Sequence, residues 1–220
     1  MGMDESWHKV YEKNAEKDLP DHLMSCWTKE DFDDLLITTK ALLRDMRGKA
    51  IKTVLDIGCG PGHYCKILHD LGYDVTGVDY SAKTIDTAKK KHPDINFAQE
   101  NGYALSFENQ KFDLVITIGA LQCVYDYKKF VTESARVAKQ ALIISTLYRH
   151  KKTDDPQKLV DKDLKRDSWP TRDFHPEELT AILENIGFRT RVIRQIAGKK
   201  LTDHFFIVAE RNEWTDRDVA

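Results

Sequence analysis

The chain has little of what would send a protein into a membrane, onto nucleic acid or into an oxidising compartment. Its apolar runs, such as Leu142–Ile144, fall far short of the ~20 residues that cross a bilayer. The stretch MGMDESWHK at its start is acidic and polar, without the apolar segment of a secretion signal. Neither sign of charge dominates. There are 34 Lys and Arg against 36 Asp and Glu, a net charge of −2, so no global electrostatic case exists for nucleic acid or an anionic lipid surface. The four cysteines are Cys26, Cys59, Cys65 and Cys123. None forms a CxxC pair and no His stands at zinc spacing, so no metal site is expected. They read as reduced, mostly buried thiols of a cytoplasmic protein. No repeat or low-complexity segment is present. What remains is ordinary: 220 residues, 41% hydrophobic and 32% charged, enough for one domain around one core.

The apolar spacing changes character along the chain. Residues 4–14 form a short helix with Trp7 and Tyr11 on one face. Thr28 reads as the N-cap of a second helix, with Glu30 and Asp31 in its first turn and Phe32, Leu35, Leu36, Thr39, Leu42 and Leu43 at helical spacing. From Lys52 strands and helices alternate. Strands are expected at Thr53–Ile57, Val75–Val78, Ile95–Ala98, Phe112–Ile118 and Ala141–Leu147. Helices fall at Tyr64–Leu71, from Ser81 to about Lys91, and over Tyr127–Ala138. Near-continuous apolar runs such as Phe112–Ile118 suit strands buried on both faces, hence a parallel sheet with right-handed crossovers. The end differs. Residues 149–174 are polar, and a connection of that length is often functional. His175 and Pro176 open a last helix that Gly187 ends. Phe188–Ile196 and Leu201–Ala209 then read as a closing β-hairpin. The expected fold is a Rossmann-like α/β domain with seven strands, mostly parallel, helices on both faces and the last strand antiparallel. It divides into a helical cap (1–50), a core (51–148), an insert (149–174) and a C-terminal helix and hairpin (175–211).

The densest signal is VLDIGCGPGHY, Val54–Tyr64. A glycine loop between a buried strand and a helix is where open α/β sheets bind ligands. Gly58, Gly60 and Gly62 remove side chains so that backbone can approach a ligand. Asp79 ends the next strand, where an ionised carboxylate can accept hydrogen bonds from both hydroxyls of an adenosyl ribose. A dinucleotide loop reads G-x-G-x-x-G, and here its third glycine position holds His63. Pro61 removes a donor that a pyrophosphate would use, and Asp56 would repel it. The charges favour a phosphate-free cationic cofactor, S-adenosylmethionine, over NAD.

Residues 51–148 resemble the class I S-adenosylmethionine-dependent methyltransferases. VLDIGCGPGHY resembles that family's first motif over its full length, and VTGVDYS (Val75–Ser81) its second. AQENGYALSFENQKFDLVITIGALQCV (Ala98–Val124) resembles the stretch spanning its third and fourth strands. The resemblance implies cofactor contacts at Asp56, Gly58, Cys59, Gly60, Gly62, Asp79 and Tyr80. It also implies Asn101, where the family often has an Asp for the adenine amino group, and Gly102, whose N–H faces the ring. Ile118 and Gln122 fall at the methionine end, with Gln122 where the family often has His. The family's Pro-Gly-Gly turn before the fifth strand is missing, so the turn before Ala141 must be tighter. His63, in the first turn of its helix, reads as facing solvent, and His175 as capping its helix.

In the family the acceptor cavity is covered by the N-terminal segment and the insert after the fifth strand. The candidates here are Trp7, Tyr11, Trp27, Tyr148, Arg149, His150, Trp169 and Arg172. Aromatic walls with one or two cations suit a planar or anionic small molecule. Ile118-Gly119-Ala120-Leu121 stands where enzymes of base amino groups carry a polar-Pro-Pro-aromatic motif, so a nucleic-acid acceptor is disfavoured. The implied activity is methyl transfer to oxygen or nitrogen of a small molecule. The alternatives are another group transfer on the same fold, a non-catalytic cofactor-binding module and, last, a nicotinamide dehydrogenase.

Overall fold

Seven strands form one sheet in the order β3-β2-β1-β4-β5-β7-β6. In the computed structural model, which describes residues 3–15, 17, 29–46, 50–148, 172–196 and 204–212, these strands are β1 (Thr53–Ile57), β2 (Asp74–Asp79), β3 (Asn96–Gln99), β4 (Phe112–Ile118), β5 (Ala138–Leu147), β6 (Phe188–Ile196) and β7 (His204–Arg211). The helices are α1 (Met3–Ala15), α2 (Lys29–Asp45), α3 (His63–Asp70), α4 (Ala82–Lys91), α5 (Tyr127–Val137) and α6 (Pro176–Asn185), with a 3-10 turn at Leu121–Cys123. β1 pairs parallel with β2 and β4, β2 with β3, and β4 with β5. β7 runs antiparallel between β5 and β6, as the hairpin requires. Thr28, Cys26, Trp27 and Gly48 lie outside the described residues.

Alternation along the strands divides the interior into two layers. Val54, Leu114, Ile116, Ile143, Phe206 and Val208 face α2, α3 and α4. Leu55, Ile57, Val115, Leu142, Ile144 and Phe205 face α5 and α6. Both faces are covered, so the central strands are apolar at nearly every position. Polar anchoring is confined to their ends. Asp113 accepts from the N–H groups of Lys52 (2.9 Å) and Thr53 (3.0 Å), tying the start of β1 to the start of β4.

The passage from α5 to β5 is tighter than expected, because no turn residues separate them. β5 begins at Ala138 rather than Ala141. The surplus residue is taken up as a bulge, since Phe112 pairs with Ala138 but Leu114 with Ala141. Gln140, inside that bulge, donates to the Asp113 carboxylate at 3.0 Å. His175 precedes α6 with Pro176 in its first turn, but its side chain makes no capping bond. It turns instead toward Glu177 (3.6 Å) and the Tyr148 ring, and Pro176 has no N–H that would need a cap. Among the described residues no helix is long and apolar enough to cross a membrane.

Candidate active site

The chain moves outward from β1 to β2 and β3, then returns to the other side of β1 as β4. Strand order therefore reverses between β1 and β4, and the loops above their C-terminal ends diverge to leave a crevice. A cavity of about 290 Å³ lies there. Its floor is Ile57, Gly58, Cys59 and Gly60 from the β1–α3 loop. Asp79, Tyr80 and Ser81 line it from the end of β2, Glu100–Tyr103 from the end of β3, and Ile118–Ala120 from the end of β4. His8 and Tyr11 of α1 and Phe32 of α2 close it from above.

The loop geometry explains the glycines. Gly58 (φ 76°), Gly60 (φ 54°) and Gly62 (φ 86°) all adopt left-handed backbone, which other residues reach only with strain. At Gly58 a methyl group would lie 2.5 Å from the Cβ of Ala120, so glycine lets β1 and β4 approach. At Gly60 a methyl group would meet nothing within 4 Å. It would project into open space beside the cavity floor, which is the place for a ligand pressed against backbone.

The two strand-end aspartates take different positions. Asp79 lines the cavity, accepting from the Gly60 N–H (3.0 Å) on one oxygen and the Ser81 N–H (2.9 Å) on the other. A carboxylate has about four acceptor sites, so capacity remains for a ribose diol. Burial raises its pKa above the ordinary value, against the pull of those two N–H groups. Asp56 does not line the cavity. Strand alternation places it with Val54 on the α3 side, 1% exposed, where the Cys65 thiol donates to it at 3.3 Å. Burial, with the Asp79 charge adding to it, pushes its pKa up to about 7 against the Cys65 bond. Burial likewise pushes the Cys59 thiol to about 11, which leaves it a protonated wall residue.

The other expected cofactor contacts divide. Tyr80, 54% exposed, stands at the rim with its ring 5.1 Å from that of His8. Asn101 and Gly102 line the cavity. The Asn101 side-chain oxygen already accepts from the Tyr103 N–H at 3.0 Å, leaving one lone pair. At Gly102 a methyl group would lie 2.5 Å from the Phe130 ring. Gly62 sits beneath the loop, where a methyl group would strike Phe97. Ile118 is a wall residue, whereas Gln122 is buried behind the wall. Its amide donates to the Gly119 carbonyl and accepts from the Thr146 hydroxyl at 3.3 Å, which shapes the β4 turn from behind.

Of the lid candidates, Tyr11 lines the cavity. Trp7 belongs to α1, but its side chain lies outside the described residues, as do Trp169, Arg149 and His150. Tyr148 and Arg172 are not in the cavity wall. Tyr148 packs against Phe205 and His175. Arg172 is buried over the Tyr127 ring (4.7 Å), and its backbone N–H donates to the Gln122 carbonyl (2.9 Å). His63 is a correction, because it does not face solvent. Its ring lies 4.6 Å from Phe32 in the cavity wall, since α2 descends onto the first turn of α3. Phe32, His8, Tyr64 and Tyr103 were not anticipated as wall residues. Phe32 stands at core spacing and His8 in no motif, whereas Tyr64 and Tyr103 lie inside the quoted motif stretches with no ligand role assigned to them. Only adjacency to the last glycine could have flagged His63 and Tyr64.

The cap is latched to this site. Glu12 of α1 accepts from the Ser81 hydroxyl at 2.7 Å and lies 3.4 Å from the Lys83 ammonium. Ser81 is also the N-cap of α4, accepting from the Thr84 N–H at 3.2 Å. Burial alone would raise the Glu12 pKa, but donors from Ser81 and Lys83 outweigh it and hold it below the ordinary value.

Known proteins agree with this geometry. The family described as Methyltransferase domain matches residues 55–144. A probable S-adenosylmethionine-dependent methyltransferase of Mycolicibacterium smegmatis is 26% identical over 137 residues, 62% of this chain and 52% of that protein. The chain thus spans about half the length of that relative. A ubiquinone biosynthesis O-methyltransferase of Coxiella burnetii is 32% identical over 165 residues, 70% of each chain. In three dimensions, magnesium protoporphyrin IX methyltransferase from Synechocystis, solved with S-adenosylhomocysteine, superposes with a TM-score of 0.67 at 16% identity, covering 94% of this chain and 93% of that one. A Pyrococcus horikoshii protein gives a TM-score of 0.68 at 18% identity, over 84% of this chain and 92% of that one. The structural likenesses show the Rossmann-like methyltransferase fold. The chain belongs to the class I S-adenosylmethionine-dependent methyltransferases.

Proposed function

We propose that this protein transfers the methyl group of S-adenosylmethionine to oxygen or nitrogen of a small-molecule acceptor. One observation carries the reading. The cavity at the strand-order reversal presents the Asp79 carboxylate beside the open backbone of Gly60, and no Lys or Arg is among its described wall residues. A pyrophosphate would find no cation there, whereas a sulfonium cofactor without phosphate fits. Asp79 is suited to hold the ribose hydroxyls, Asn101 and Gly102 to meet the purine edge, and Gly58, Gly60 and Ile118 to flank the amino-acid tail.

When bound, the cofactor supplies a methyl group already activated on sulfur. The chain needs no nucleophile of its own. Its task is to align the acceptor behind the methyl carbon and to exclude water. The glycine loop fixes the donor side. The aromatic cap, Tyr11 and Phe32 with His8, supplies a dry roof. Similarity to the Coxiella O-methyltransferase favours oxygen as the acceptor atom.

Calorimetric titration with S-adenosylmethionine, S-adenosylhomocysteine and NAD tests the cofactor. Binding of the first two without NAD is expected, and tighter binding of NAD would overturn the reading. The acceptor is then found by following labelled methyl transfer to panels of phenols, other hydroxyl compounds and amines.

A further inference from the structure

The cavity wall contains a buried polar group that the cofactor contacts above leave unused. Tyr64, in the first turn of α3, is 9% exposed and lines the cavity. Among the described residues its hydroxyl has no hydrogen-bond partner. An orphaned hydroxyl at that depth costs stability, so its retention beside a ligand cavity calls for a ligand atom. Burial and the nearby Asp56 charge keep the phenol protonated, hence a donor.

The helix that carries it adds a second donor set. α3 begins at His63 with Gly62 as N-cap, makes no side-chain capping bond and has no acidic residue in its first turn. Its leading N–H groups and the positive end of its dipole are therefore not answered by a side chain. The carboxylates of the described wall are Asp79 and Glu100. A carboxylate entering this cavity has its favourable seat at the start of α3.

Position along the sheet says which carboxylate. The acids Asp79 and Glu100 end β2 and β3, whereas Tyr64 shares an apolar cluster with Ile118 of β4 and Phe32 of α2. Adjacent strands lie ~4.8 Å apart, so the β3 and β4 ends of the cavity are separated by about three spacings. With the ribose held at β2, the far end receives the tail. Resting on the methyl-donor reading above, we infer that the Tyr64 hydroxyl and the uncapped N-terminus of α3 together bind the carboxylate of the cofactor's amino-acid end. Tyr64 thereby selects the complete cofactor over its decarboxylated form.

The test uses the full chain, Tyr64→Phe, and two ligands that differ only in that carboxylate, S-adenosylmethionine and decarboxylated S-adenosylmethionine. Calorimetry is expected to show about a tenfold loss of affinity for the complete cofactor and no loss for the decarboxylated one. The unliganded variant should melt at or above the wild-type temperature, because an unsatisfied hydroxyl is removed. Equal loss for both ligands would mark a merely structural role and overturn the inference, as would no loss for either. A wild-type protein that binds neither ligand overturns the cofactor reading itself, a different result from a wild type that binds both without regard to Tyr64.

Discussion

The ends of β1 and β2 each carry an aspartate beside the same loop, and the two meet opposite environments. Asp79 opens onto the cavity and accepts from two backbone N–H groups. Asp56 lies behind the loop, with a thiol as its donor. From sequence alone both stand where a cofactor contact is expected. The difference teaches that a carboxylate at a strand end reaches the cavity only when strand alternation and the following loop turn it outward. Otherwise it is enclosed behind the loop, as Asp56 is against the Cys65 thiol.

The largest way to break this contrast is at Asp79. Asp79→Ala is expected to weaken S-adenosylmethionine by more than about a hundredfold, since it removes two hydrogen bonds to a charged group. The protein should stay folded, as thermal unfolding would show. Unchanged affinity would remove the ribose assignment. Asp56→Asn should alter the affinity by less than about tenfold.

A second contrast lies within the loop. Gly58→Ala drives a methyl group to 2.5 Å from Ala120 and leaves an alanine at φ 76°. It should cost about 2–4 kcal/mol in chemical denaturation. Gly60→Ala has open space around it and should cost about 1–2 kcal/mol from the left-handed backbone alone. It should instead lose cofactor affinity, because the methyl group occupies the cradle. A Gly60→Ala protein that binds normally would move the ligand off the loop.

The third test concerns Asp56 and pH. Its folded pKa of about 7 lies above the ordinary 3.8, so the folded state holds a proton that the unfolded chain has released. The contribution of Asp56 to stability therefore falls as pH rises from about 4 to 7. Asp56→Asn should flatten that decline, by on the order of a few kcal/mol across the window. An unchanged slope in denaturation at pH 5 and 7 would show that Asp56 does not carry it.

The smallest effect belongs to the latch. Glu12→Gln should loosen α1 by less than about 1 kcal/mol, visible as faster amide exchange in that helix. The pKa of Glu12 is lowered in the folded state. Its contribution is thus complete above about 4.5 and lost as pH falls through the folded value. Faster exchange in α1 at pH 7 with no change in α6 would confirm that the effect is local.

Much of this architecture was readable beforehand, for particular reasons. β4 announced itself as Phe112–Ile118, because a strand covered on both faces is apolar throughout. Ser81 announced α4, because its hydroxyl accepts from Thr84 three residues on. The β5 start was not readable. Ala138 and Lys139 continue a helical pattern, and only pairing with β4 converts them to strand. The wall residues Phe32 and Tyr64 were hidden for a related reason. Each looks like core by spacing, and each becomes a cavity residue only when α2 packs across α3.

Local chemistry by itself determined the glycine loop, the carboxylate at the end of β2 and the preference for a phosphate-free cofactor. These follow from backbone geometry and charge within short segments. The tertiary structure decided which aspartate faces the cavity, that Gln122, Tyr148 and Arg172 pack away from it, and that His63 and Tyr64 enter it. Those outcomes depend on how elements distant in sequence are brought together, and residue spacing carries no record of the angle at which one helix crosses another.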